Sequence, residues 1–124
     1  LPPIPPTWLG SNLEYYVFVA LIQLGYKPGV DFAYQTDFDG GRLDKGGGVA
    51  DFKIFNPRVI LLPAGWYWHR RTTNQRAHDA LQRVQYEGQG WRVEFPQEDD
   101  VLNNARDTVR RCIQGNYGKG PIGV

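Results

Sequence analysis

Apolar residues recur at helical spacing in three parts of the chain. The first stretch follows Ser11, which with Glu14 three residues later forms the N-terminal signature of a capping box, and it ends at Gly25. The second ends at Gly88 or Gly90. The three apolar stripes are Leu13, Tyr16, Val17, Ala20, Leu21 and Leu24; then Ala77, Ala80, Leu81 and Val84; then Val101, Leu102, Ala105, Val109, Cys112 and Ile113.

Four shorter segments have the pattern of strands, at residues 32–36, 49–55, 59–62 and 91–95. In the second, Ala50, Phe52 and Ile54 share one face, and Asp51 and Lys53 share the other. The third segment is apolar throughout, as expected of a central strand covered on both faces. The order helix, three strands, helix, strand, helix predicts an α/β fold with a mixed sheet flanked by helices.

The 124 residues suffice for a single domain. Residues 1–10 contain four prolines and are predicted to form an extended arm. The folded domain is predicted over residues 11–114, and residues 115–124, with four glycines, are predicted to form a flexible tail.

Composition excludes several classes of protein. One cysteine and two histidines permit neither an internal disulfide nor a closed zinc site of ordinary ligand spacing. No stretch is apolar enough for a membrane span, and the first residues lack the basic start and apolar centre of a signal peptide, so we expect a cytoplasmic protein. The net charge of +1 gives no overall argument for nucleic acid. Five arginines nevertheless cluster in residues 70–92, which indicates either a basic surface or an ordinary solvated helix face.

Two residues stand out as candidates for chemistry. Asp51 lies within a strand beside an apolar strand, where a carboxylate is costly unless it is paired, hydrogen-bonded or bound to a cation; an edge strand or a solvent-facing position is the alternative. His69 follows an aromatic run and precedes Arg70 and Arg71, which places a proton-transfer group beside side chains that bind phosphate. A histidine that bonds a backbone carbonyl is the alternative. Glu14 is accounted for locally by the capping box.

A set of short motifs resembles the PD-(D/E)XK nuclease superfamily, and most closely its branch of very-short-patch mismatch repair endonucleases. The resemblance covers residues 10–113. Its motifs are Gly10-Ser11-Asn12-Leu13-Glu14, Gly40-Gly41-Arg42, Val49-Ala50-Asp51-Phe52, Gly65-Trp66-Tyr67-Trp68-His69, Asp79 and Gly90-Trp91-Arg92-Val93.

This resemblance implies a restriction-endonuclease-like core and a Mg²⁺-dependent endonuclease that hydrolyses phosphodiester bonds in mismatched, nicked or branched DNA. Glu14 and Asp51 would hold Mg²⁺ or Mn²⁺, and His69 would assist proton transfer. Contacts to DNA would come from basic and aromatic side chains, namely Arg42, Trp66, Trp68, Arg70, Arg71 and Arg76.

The third motif departs from the family, because Leu62 and Ala64 stand where an acidic residue and a lysine are usual. The Pro63 carbonyl could ligate a metal instead, and Asp37, Asp39 or Glu94 could be recruited. The alternative is a catalytically inactive nuclease fold, serving as a DNA-binding module or as a structural or assembly protein with the proline arm as a docking segment. A phage-encoded protein would lie in the host cytoplasm or the virion. A homodimer and a larger assembly both stay open.

Overall fold

The computed structural model describes residues 2–8, 10–36, 50–63 and 73–119. Within them the chain forms three helices and four strands, in the α/β order that the sequence predicts. The elements are α1 (Asn12–Gln23), β1 (Phe32–Thr36), β2 (Ala50–Ile54), β3 (Val59–Leu61), α2 (Thr73–Gly88), β4 (Arg92–Glu94) and α3 (Glu98–Gln114).

The four strands form one mixed sheet in the order β1-β2-β3-β4. β2 runs antiparallel to both β1 and β3, and β4 runs parallel to β3. All three residues of β3 are buried, which confirms the prediction of a central strand. The pairing aligns one residue from each strand in a row across the sheet, Tyr34, Phe52, Leu61 and Glu94.

Helices α1 and α3 pack together on one face of the sheet and bury the larger part of the core. Phe52 and Ile54 belong to this layer. Lys53 lies on the opposite face, where its Nζ is 5.4 Å from the ring centroid of Tyr86 on α2. That second layer has a smaller core of Ile60, Leu62, Val93 and Phe95.

The apolar stripe of α2 is not its buried face. Ala77 and Ala80 are exposed, and Leu81 and Val84 are 57% and 61% exposed. The contacts with the sheet come from other residues, since Tyr86 packs on the smaller core and the Arg83 guanidinium lies 5.5 Å from the ring centroid of Phe95. A long cationic side chain can cover apolar surface with its stem, so the face richest in apolar residues is not the face in contact here.

The buried face of α3 is predicted correctly except near its middle. Asn104 has extended φ and ψ of −159° and 89°, which breaks the helix. The second half restarts there, because the Asn104 Oδ1 accepts a hydrogen bond of 3.0 Å from the backbone N–H of Asp107, as an N-cap residue does. Leu102, just before the break, is 42% exposed, whereas Thr108 is buried and donates to the Asn104 carbonyl at 2.8 Å.

Residues after α3 pack back against its start. The ring of Tyr117 is buried, and its hydroxyl donates to Asp100 Oδ2 and accepts from the backbone N–H of Gln97 at 3.0 Å. Lys119 Nζ lies 2.6 Å from the same carboxylate oxygen. Within the described residues, no helix combines the length and the apolar character that crossing a bilayer requires.

Candidate functional site

Glu14 lies in the first turn of α1, and its side chain is buried. The predicted capping box is present. The backbone N–H of Ser11 donates to Glu14 Oε1 at 2.8 Å, and the N–H of Glu14 donates to Ser11 Oγ at 3.1 Å. The local sequence therefore fixes the position of the carboxylate at the start of the helix.

A second hydrogen bond joins this carboxylate to the sheet. The hydroxyl of Tyr34 on β1 donates to Glu14 Oε1 over 3.4 Å, which is long for a bond between oxygen atoms. Burial raises the pKa of Tyr34, and the nearby Glu14 carboxylate raises it further, so the phenol keeps its proton and acts as a donor. Glu14 thus links α1 to β1, a contact that the capping box does not require.

The ring of Tyr34 is fixed by aromatic neighbours. Trp8 stacks on it with ring centroids 4.9 Å apart and an angle of 27° between the planes, and Phe52 lies 4.7 Å away. Trp8 also contacts the rings of Tyr15 and Phe18, and its Nε1 donates to the Ser11 carbonyl at 2.9 Å. The end of the predicted proline-rich arm therefore packs on α1 and β1 beside Glu14.

Gly10 lies against three polar atoms of this cluster, the Tyr34 hydroxyl, Glu14 Oε1 and Trp8 Nε1. A Cβ at this position would be 2.7 Å from Glu14 Oε1 and 3.1 Å from Trp8 Nε1, and it would overlap the Tyr34 hydroxyl. A side chain at position 10 would force these groups apart, so the close approach requires glycine.

Asp51 is placed by its main chain on β2, directly opposite Gln35 of β1. The neighbouring pair is Tyr34 with Phe52, so Asp51 is one residue along its strand from the row that contains Tyr34. The main chain thus places Asp51 next to Phe52, the partner of Tyr34, and on the face of β2 to which Lys53 belongs.

Most of the other predicted site residues lie outside the described residues. These are His69, Arg42, Trp66, Trp68, Arg70 and Arg71, together with Asp37, Asp39 and Ala64. Arg76 is placed only by its main chain, in the first turn of α2. Their roles stay predictions.

At the third motif, Leu62 is buried in the smaller core. Its N–H donates to the Glu94 carbonyl at 2.9 Å, which extends the pairing of β3 with β4. The Glu94 carboxylate is in an ion pair of 2.7 Å with Arg92, whose guanidinium also donates to the carbonyls of Cys112 and Ile113, both at 2.6 Å. Glu94 therefore helps to hold β4 against the end of α3.

The described residues supply only part of a metal site. No three histidine, cysteine, aspartate or glutamate side chains come together within 2–8, 10–36, 50–63 and 73–119. These ranges contain three of the residues predicted to hold the metal, Glu14, Asp51 and Pro63, and each would do so through oxygen, the ligand atom that Mg²⁺ prefers.

In comparison with known proteins, no family model, no curated protein and no solved structure matches the chain.

The sequence analysis did not identify Tyr34 as a partner of Glu14, nor Trp8 as the residue that packs on Tyr34. The alternation of β1 puts Tyr34 on the same face as Phe32, which is a signal that it faces α1. The sequence contains no comparable signal for Trp8, because its position depends on how the arm folds back.

Proposed function

We propose that this chain is a nuclease-fold protein that acts as a Mg²⁺-dependent DNA endonuclease and hydrolyses phosphodiester bonds. The observation that carries the proposal is the buried Glu14 carboxylate, joined to β1 through Tyr34 one row from Asp51 on β2. The resemblance of the sequence to PD-(D/E)XK nucleases implies an acid on the first helix and an acid on the second strand, and the order of elements agrees with it.

In this proposal Glu14 and Asp51 hold Mg²⁺ or Mn²⁺, and the Pro63 carbonyl is a further oxygen ligand. The bound metal would supply an activated water and offset charge on the leaving oxygen. His69 assists proton transfer. The proposed contacts to phosphates and bases come from Arg42, Trp66, Trp68, Arg70, Arg71 and Arg76. Mismatched, nicked or branched DNA is the proposed substrate.

A second candidate is a catalytically inactive nuclease fold that binds DNA or serves in a structural assembly, which a phage-encoded protein could do. It is favoured by Leu62, an apolar core residue at a position where the family usually has an acid. Position 51 is two residues from Lys53 in β2 and so belongs to the same face of the strand, on the α2 side of the sheet. Glu14 lies on the α1 side.

The deciding experiment incubates labelled linear, mismatched, nicked and four-way DNA with the protein and Mg²⁺, Mn²⁺ or EDTA. The test variant is Asp51→Asn. The matched control is Asp31→Asn, which removes the same charge near the start of β1, where an asparagine Oδ1 can still accept from the N–H of Lys27. We expect metal-dependent cleavage that Asp51→Asn abolishes and Asp31→Asn preserves.

Cleavage that survives Asp51→Asn would overturn the site. If no DNA is cut but DNA is bound, the second candidate is supported. Replacement of both Arg70 and Arg71 by alanine should then weaken binding and flatten its dependence on salt. Absence of DNA binding even at low salt would leave the assembly role.

A further inference from the structure

We infer that Arg58 is a further contact to DNA: its guanidinium, stacked on the ring of Trp91, binds a backbone phosphate on the α2 side of the sheet. The inference rests on the proposed function, because it takes DNA as the ligand. It adds a residue outside the set of predicted DNA contacts.

Two turns bring Arg58 and Trp91 together at one end of the sheet. Gly90 follows α2 with a φ of 90°, and the N–H of Trp91 donates to the Tyr86 carbonyl at 3.0 Å, as in a Schellman turn. The N–H of Arg92 then donates to the Arg58 carbonyl at 3.1 Å, which sets the starts of β3 and β4 side by side. The Arg58 guanidinium carbon lies 4.5 Å from the centroid of the Trp91 ring.

Stacking supports the guanidinium and leaves its donors available. Trp91 is half-buried and packs on the smaller core, whereas Arg58 is exposed. The N–H groups of a guanidinium lie in its plane, so a ring over one face does not occupy them. A planar cation held in this way is suited to bidentate hydrogen bonding with a phosphate.

The charges on this side of the sheet are only partly paired. Around α3, the cations that pair with carboxylates are Arg92, Arg110 and Lys119. On α2, Arg83 pairs with Glu87 at 3.4 Å. Among the described side chains, neither Lys53 nor Arg58 forms an ion pair, and each lies over an aromatic ring instead. Their charges therefore remain to attract phosphates.

Lys53 lies between position 51 and Arg58 on the α2 side. It is two residues from position 51 in β2 and shares its face. Arg58 comes just before Val59, the partner of Ile54, so it is about two residues further along the sheet. At about 3.4 Å per residue, position 51 and Arg58 are about 14 Å apart along the strands, the length of about four nucleotides of DNA. A DNA strand that reaches position 51 from this side can therefore contact both cations.

The test measures binding of a labelled nicked duplex by fluorescence anisotropy at several KCl concentrations, in EDTA so that no metal-dependent cleavage occurs. Arg58→Met removes the charge and keeps an apolar side chain beside Trp91. The matched control is Arg110→Met, which removes the same charge from an exposed residue of α3.

We expect Arg58→Met to raise Kd about fivefold, as loss of one exposed charged contact should. The slope of log Kd against log salt should fall by about 0.9, because one phosphate contact releases about one counterion. Arg110→Met should change Kd less than about twofold. Both variants should keep the Tm of the unmodified protein within a few degrees, because both residues are exposed. If Arg58→Met does not fold, Arg58→Gln is measured instead.

The results distinguish this inference from the proposed function. If the unmodified protein binds DNA and Arg58→Met weakens binding no more than Arg110→Met does, the Arg58 contact is overturned and the proposed function stands. If the unmodified protein does not bind DNA even at low salt, both are wrong. A selective loss in Arg58→Met supports the contact whether or not the DNA is cut when Mg²⁺ is added.

Discussion

Replacing Arg92 by methionine should destabilise the protein by about 3 kcal/mol, because the guanidinium joins β4 to the end of α3 through two carbonyl contacts and also pairs with Glu94 within β4. It donates to the carbonyls of Cys112 and Ile113, both at 2.6 Å, and pairs with Glu94 at 2.7 Å. Methionine keeps much of the length of the side chain and its apolar packing. The change therefore isolates the hydrogen bonds and the charge.

The magnitude follows from the exposure of the partners. A hydrogen bond to a charged group contributes about 1.5–3 kcal/mol when well buried. The Arg92 side chain is 37% exposed, so we assign about 1 kcal/mol to each carbonyl contact after allowing for solvent screening. Loss of the pair with Glu94, whose side chain is only 13% exposed, adds about 1 kcal/mol more.

Urea unfolding followed by circular dichroism measures this difference, and a fall in Tm of about 12 °C should accompany it. The matched control is Arg110→Met, because Arg110 pairs with Asp107 on the open surface of α3 and should contribute less than about 0.5 kcal/mol. A loss below about 1 kcal/mol for Arg92→Met, or an equal loss for both variants, would refute this account of how α3 is anchored.

Two further predictions concern other parts of the surface. Hydrogen bonds from Lys119 and Tyr117 lower the pKa of Asp100 in the folded protein below its ordinary 3.8. These bonds should therefore stabilise the fold fully above pH 3.8, and that stabilisation should be lost as the pH falls through the pKa that Asp100 has in the folded protein. Tm measured from pH 6 to 2.5 should fall less steeply for Asp100→Asn than for the unmodified protein, and equal slopes would contradict the contact. Leu81→Gln should change the free energy of unfolding by less than about 0.5 kcal/mol, because Leu81 is exposed, whereas Val109→Ala in the core should lower it by about 2 kcal/mol. A large loss for Leu81→Gln would show that α2 buries its apolar stripe.

The sequence predicts the order of elements well because each has a strong local signal. The capping box sets the start of α1, and the apolar run 59–62 predicts a central strand; both are confirmed. The packing of α2 could not be predicted in the same way. Its periodicity shows that Leu81 and Val84 lie on one side, but which side contacts the sheet depends on tertiary contacts of Arg83 and Tyr86.

The candidate site is less predictable than the fold because its geometry depends on how the helices are placed on the strands. A capping box explains Glu14 from four neighbouring residues, yet the contact with Tyr34 depends on how α1 crosses β1, which no local pattern specifies. The arginines show the same limit. Arg83 and Arg92 belong to the segment that suggests a basic surface, but one lies against Phe95 and the other holds α3.

Glu94 on β4 and Glu14 on α1 have different partners. Glu94 is in an ion pair with Arg92, and a metal that recruited Glu94 would compete with a guanidinium that also anchors α3. Recruitment would therefore weaken the fold at β4, which disfavours Glu94 as the replacement for the missing acid at Leu62. Glu14 accepts hydrogen bonds from a backbone N–H and a phenol, which orient the carboxylate. A replacement for the missing acid is thus better sought in Asp37 or Asp39 than in β4.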